Sequence, residues 1–106
     1  MPKTKPLAIP RKIRVGKKQY SIDVVETLIQ RGLMGTIRYD EKQIQIGKSS
    51  NKTGRTFSKS EMDESFWHEL VHAILYDMDE HRLNRNEKFV TAFAKRLSEA
   101  VSSATF

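Results

Sequence analysis

The sequence predicts an α+β fold in which a small, mostly antiparallel sheet packs on one long helix and a C-terminal helix closes the structure. Two observations predict it. Apolar and polar residues alternate through much of the first half, whereas apolar residues recur at helical spacing between residues 60 and 102. The 106 residues are enough for one domain. We expect that domain to span residues 11–106, after a flexible basic arm at residues 1–10.

The first half of the chain is predicted to contain two strand pairs. Residues 12–25 fit a strand, a turn at residues 16–18 and a second strand. A helix over residues 21–31, ended by Gly32, is an alternative, and a short hairpin followed by such a helix would satisfy both patterns. Alternation in residues 35–47 predicts a half-buried hairpin. The polar residues 48–58 that follow predict a long loop.

The second half is predicted to form two helices. Residues 60–78 are apolar around much of the helical circumference, which is typical of a central helix. Either Ser58 with Glu61 or Ser60 with Asp63 could cap its start. Residues 79–84 are a polar connection, and residues 86–102 predict the second helix. Five apolar residues of that helix are expected to face the first helix: Phe89, Val90, Phe93, Ala94 and Leu97.

The long helix contains the motif H-E-x-x-H, formed by His68, Glu69 and His72. Residues four apart lie on one face of a helix, so the two imidazoles can bind one zinc ion. Glu69 is placed to accept a proton from a zinc-bound water, which makes it the candidate general base of peptide hydrolysis. The chain has no cysteine, so a metal site must use His, Asp or Glu. The motif therefore predicts a zinc-dependent metallopeptidase.

A non-catalytic zinc module that binds a protein or DNA partner is the alternative function. A structural zinc site closes all four positions with protein ligands and has no use for a glutamate beside a ligand. Glu69 therefore favours the enzyme over the binding module.

The order of these elements and the motif at residues 68–72 resemble the zincin metallopeptidases. Residues 87–97, an acidic residue followed by a helix with Phe and Ala, are weakly similar to compact bacterial and phage members of the ImmA/IrrE type. The resemblance spans residues 12–102 and implies a minimal zincin domain that cuts a protein or peptide. Leu70 and Val71 depart from it, because small residues are common between the two histidines in such proteins.

A catalytic zinc needs a third protein ligand and one open position. Five residues after the motif carry suitable side chains: Asp77, Asp79, Glu80, His81 and Glu87. Glu87 opens the following helix, where the resemblance implies a glutamate ligand, and is favoured. His81 is the alternative, because some relatives of this kind have a third histidine. Tyr76 and Glu64 stand four residues from His72 and His68, and could touch the site as an oxyanion donor or as an outer partner of an imidazole.

The charge of the chain is unevenly distributed. Residues 1–59 contain 14 Lys/Arg and 4 Asp/Glu, whereas residues 60–106 contain 5 and 9. This basic N-terminal half predicts at most a weak contact with nucleic acid, because the more ordinary explanation is a solvated surface. No apolar stretch is long enough for a membrane helix, and no signal peptide is recognisable. With no cysteine either, we expect a cytoplasmic protein without a membrane contact.

Overall fold

A computed structural model describes residues 9–28 and 34–106, and it has the predicted α+β class. The predicted basic arm, residues 1–10, lies outside the described residues except for Ile9 and Pro10, and Ile9 packs against the core. The chain order is β1 (Lys12–Val15), β2 (Lys18–Thr27), β3 (Gly35–Arg38), β4 (Gln43–Ser49), α1 (Lys59–Asp77), α2 (His81–Asn84) and α3 (Glu87–Ser102). Within the described ranges, no helix combines the length and the apolar character needed to span a membrane.

The four strands form one mixed sheet in the order β1-β2-β4-β3. Both predicted hairpin pairings, β1 with β2 and β3 with β4, are antiparallel. The central pairing of β2 with β4 is parallel, with Ile22 opposite Ile44 and Val24 opposite Ile46. Two of the three pairings are antiparallel, so the sheet is mostly antiparallel as predicted, with one parallel pairing at its centre. Parallel neighbours are not consecutive in the chain, so no turn signal marks them.

The alternative helix at residues 21–31 is wrong for residues 21–27, which belong to strand β2. Residues 29–31 lie outside the described residues. Ile22, Val24 and Val25 are β-branched, and such side chains fit a pleated strand better than a helix. Tyr20 and Ile22 point into the core while their neighbours are exposed. The alternation of buried and exposed residues at the start of β2 is that of a strand and not of a helix.

Helix α1 is buried on two sides, which makes it the central element. On one side it packs on the sheet, through a cluster that includes Phe66, Leu70 and Ala73 of the helix. On the other side Val71 and Leu75 pack against Val90 and Ala94 of α3. Burying one such aliphatic side chain stabilises a fold by roughly 1.5–3 kcal/mol, so these two interfaces fix the helix in place.

Phe93 was expected to face α1, but 48% of its surface is exposed, so that expectation is wrong. Val90 and Ala94 form the buried stripe, with Phe89 and Leu97 partly buried beside it. Phe93 lies at the edge of that stripe and stacks its ring on Phe89, with 5.7 Å between ring centroids.

The start of α1 is fixed by Ser58 and Glu61, one of the two caps that the sequence allowed. The Ser58 hydroxyl accepts from the backbone N–H of Glu61, whose carboxylate accepts from the backbone N–H of Ser58. Arg55 donates two hydrogen bonds to the same carboxylate, at 2.9 and 3.0 Å, and these lower the pKa of Glu61 to about 2. The last residues of the predicted loop are therefore tied to the helix.

This cap predicts different effects for two nearby serines. Ser58→Ala should lower the free energy of unfolding by about 1 kcal/mol, because the backbone N–H of Glu61 loses its acceptor. Ser60→Ala is the matched control, since Ser60 lies exposed inside the first turn and should change stability little. Urea unfolding of both variants measures the difference, and equal values for the two would contradict the assignment of the cap.

Candidate metal centre

Three side chains converge at the point where α1 and α3 meet. His68 Nε2 lies 3.0 Å from Glu87 Oε2, and His72 Nε2 lies 2.8 Å from Glu87 Oε1. The two imidazole Nε2 atoms are 3.2 Å apart. The structure therefore brings together the two motif histidines and the favoured third ligand, which is separated from them by 15 residues or more.

The spacing of these three donors fits one metal ion. Two donors that each lie about 2.0–2.1 Å from a tetrahedral zinc are about 3.3 Å apart. The separations found here are 2.8 to 3.2 Å, with each histidine next to a different oxygen of the Glu87 carboxylate. Two imidazoles and a carboxylate are also a donor set that suits zinc. Three protein donors leave a fourth tetrahedral position for another ligand, as in catalytic rather than structural zinc sites.

Local structure on both helices explains why the donors meet. The four-residue spacing puts His68 and His72 on the same face of α1, with 4.9 Å between their ring centroids. Glu87 is the first residue of α3, and Asn86 caps that helix by accepting from the backbone N–H of Phe89. The apolar contact between α1 and α3 then holds the start of α3 against the motif face.

The electrostatics of the two histidines reflect their surroundings. Burial lowers the pKa of His68, and the neighbouring His72 lowers it further, while Glu87 acts in the opposite direction. The side chain of His72 is the more buried, with 9% exposed against 24% for His68. Neutral imidazoles are the form that binds a metal, so burial favours the ligand state of His68.

Glu69 is a buried carboxyl group that has no hydrogen-bond or ion-pair partner among the described residues, and only 7% of the residue is exposed. Burial raises its pKa to about 8, and the negative charge of Glu87 adds to the shift. A buried acid without a partner is costly for the fold, and such groups are concentrated at functional sites. Its position beside His68 is the one that the motif predicted for a general base.

A cavity of about 320 Å³ adjoins Glu69 and His68. Its walls come from both helices and from the start of β3, where Gly35 packs closely on Glu69. A Cβ atom on Gly35 would stand 3.2 Å from Glu69 Oε2. The site therefore has room for a small group next to the buried acid, and Gly35 permits the close approach of backbone and carboxyl.

The other predicted site residues lie at different places. The ring of His81 packs edge-on against Tyr76, and its Nε2 lies 3.5 Å from Asp79, so His81 does not join the three donors. Tyr76 stacks on Tyr39, with 4.2 Å between the ring centroids. Glu64 is exposed and lines the cavity beside His68 without a hydrogen bond to it.

Two residues beside the site were not singled out in the sequence. Asn84 Oδ1 lies 2.6 Å from His72 Nδ1, and Asn84 Nδ2 donates to the hydroxyl of Tyr39 at 3.1 Å. Asn84 lies in the connection that was predicted to be a loop and is in fact the short helix α2. No spacing rule predicts such a residue, because its contact with His72 depends on tertiary structure and not on a fixed separation along the chain.

Three exposed basic residues of the N-terminal half lie on the outer face of the sheet. Lys12 and Arg14 of β1 and Arg38 of β3 are exposed, and the strand register places all three on the sheet face opposite the core. A contact with nucleic acid through this half remains a prediction.

The pKa of Glu69 predicts a pH dependence of stability in the metal-free protein. Between about pH 4.5 and 8 this carboxyl is protonated when folded and ionised when unfolded. The free energy of unfolding should therefore fall as the pH rises through this window, by up to about 1.4 kcal/mol per pH unit. Glu69→Gln removes the group, so its stability relative to the wild type should increase from pH 5 to pH 8.

Urea unfolding with a chelator present at both pH values measures this difference. Glu64→Gln, an exposed change on the same helix, is the control and should follow the wild-type profile. A stability difference between Glu69→Gln and the wild type that is the same at pH 5 and pH 8 would contradict a raised pKa for Glu69.

Comparison with known proteins gave no match: no protein-family model, no curated protein and no solved structure matches this chain. The minimal zincin domain therefore stays a prediction, and the architecture itself is a mixed four-stranded sheet with three helices. A function for the chain must be inferred from the geometry of its own residues.

Proposed function

We propose that this protein is a zinc-dependent metallopeptidase. The observation that supports it is the convergence of His68 Nε2, His72 Nε2 and the Glu87 carboxylate beside the buried, unpartnered acid of Glu69. A non-catalytic zinc module accounts for the three donors but not for Glu69, whose burial without a partner would cost stability and serve nothing. The two features together favour the enzyme.

Each residue then has a distinct task. His68, His72 and Glu87 would hold a zinc ion, which would supply Lewis acidity for activating water and polarising a carbonyl group. Glu69, ionised in the loaded site by the nearby cation, accepts a proton from the attacking water at a carboxylate oxygen. The same carboxyl group then donates that proton to the leaving amine, so the enzyme returns to its starting state.

Strand β3 supports a peptide as the substrate. It is an edge strand that pairs with β4 on one side, and the described residues contain no strand that pairs with its other side. An extended peptide can add to such an edge through its backbone. Gly35 of this strand lies against Glu69, so a peptide on that edge would pass beside the buried acid.

The ligand assignment predicts how two variants bind zinc. Glu87→Ala should weaken zinc affinity by more than the ~10–100-fold that is typical for the loss of a residue supporting a ligand, because it removes one of three donors. His81→Ala should bind zinc as the wild type does. Competition with a chromophoric chelator measures both, and a larger loss for His81→Ala would replace Glu87 as the third ligand.

The assignment of Glu69 predicts a separation of zinc binding from catalysis. Glu69→Gln should bind zinc within a few-fold of the wild type but hydrolyse peptides at least ~100-fold more slowly, because an amide cannot accept the proton of water. Mass spectrometry of a mixed peptide library measures the cleavage rate and finds the cleaved sequences in the same experiment. Glu99→Gln, an exposed change near the end of α3, serves as the matched control and should retain activity.

Two results would contradict the proposal in different ways. Equal hydrolysis by Glu69→Gln and the wild type would remove Glu69 from the chemistry. A wild-type protein that binds one zinc ion but cuts no peptide in the library would favour the non-catalytic zinc module.

A further inference from the structure

We propose that Asn84 is a positioning residue, which keeps the proton of the His72 imidazole on Nδ1 and so leaves Nε2 free to bind the metal. This inference rests on the proposed function, because it assigns a role within the same zinc site. It extends that function to a residue and a contact that the motif does not contain.

The first step concerns the two atoms of the Asn84 amide. Its Oδ1 lies 2.6 Å from His72 Nδ1, and its Nδ2 donates to the Tyr39 hydroxyl at 3.1 Å. A carbonyl oxygen only accepts hydrogen bonds, so His72 Nδ1 must carry the proton in this arrangement. The lone pair that binds a metal is then on His72 Nε2, the atom that faces His68 and Glu87.

The second step concerns how the Asn84 amide is held and why its orientation matters. A flipped Asn84 would donate from Nδ2 to His72 Nδ1 and would move the imidazole proton to Nε2, where it blocks the metal. Tyr39 holds the Asn84 amide beside His72, because its hydroxyl accepts from Nδ2 in the observed orientation. Tyr39 is itself fixed by stacking on Tyr76 at an interplanar angle of 17°.

The third step concerns how the contacts are supported by the fold. His72 and Tyr76 lie four residues apart on α1, so the contacts among His72, Asn84, Tyr39 and Tyr76 start and end on the same helix face. Leu83 packs into the cluster between α1 and α3 and thereby anchors α2 next to His72. Residues from α1, from α2 and from the turn after β3 thus fix the contact at His72 Nδ1.

The test compares four variants for zinc affinity and for the Nδ1–H proton resonance of His72 in the zinc-loaded protein. Asn84→Ala should lose about 10–100-fold in affinity, and its Nδ1–H should exchange with water too fast to be observed. Asn84→Asp keeps an acceptor at the same place, so it should retain both the affinity and the resonance. Tyr39→Phe should lose only about two- to tenfold, because it removes the support and not the acceptor. Arg82→Ala, an exposed change in the same short helix, is the control and should match the wild type.

The outcomes separate this inference from the proposed function. If the wild type binds no zinc, both the proposed function and the role of Asn84 are contradicted. If the wild type binds zinc and Asn84→Ala binds it within twofold with an unchanged Nδ1–H resonance, the zinc site stands and the role of Asn84 is wrong. An Asn84→Asp variant that loses as much affinity as Asn84→Ala would also overturn the inference, since a hydrogen-bond acceptor would then not be what matters.

Discussion

The packing of α3 on α1 is the interaction on which the candidate site depends. Val71 and Leu75 of α1 bury themselves against Val90 and Ala94 of α3, and this contact sets where α3 begins. Glu87 is the first residue of that helix, so its carboxylate meets the two histidines only while the apolar contact holds. The histidine pair is local to one helix, whereas the third donor is supplied by tertiary structure. The opposite side of α1 packs on the sheet, and Glu69 is buried apart from the cavity that it lines.

The site gathers groups that oppose one another when no cation is present. The acid of Glu69 is buried without a partner, the negative charge of Glu87 raises its pKa further, and the pKa of His68 is lowered by burial and by His72. Such an arrangement costs stability in a domain of this size. A divalent cation between the three donors would offset that cost, since it attracts both carboxylates and accepts the imidazole lone pairs.

The sequence predicted the parts of this structure that depend on local patterns. Period-two alternation around Ile22 and Ile44 indicated strands, and helical spacing indicated α1. Two caps, Ser58 with Glu61 and Ser60 with Asp63, were possible for α1, and the structure has the first. The parallel pairing of β2 with β4 could not be predicted, because it joins strands that are separated by another strand in the chain. Helix α2 was mistaken for a loop, since four residues are too few to show a period. The role of Asn84 could not be predicted either, because its contact with His72 depends on how the chain turns between α1 and α3.

The central claim is that His68, His72 and Glu87 bind one zinc ion and leave a position open. X-ray absorption at the zinc edge, on wild-type protein loaded with one equivalent, tests it most directly. The account predicts a first shell of four or five nitrogen and oxygen atoms at about 2.0–2.1 Å, with the outer-shell scattering of two imidazoles. A spectrum of hydrated zinc, with six oxygen atoms and no imidazole scattering, would contradict the claim.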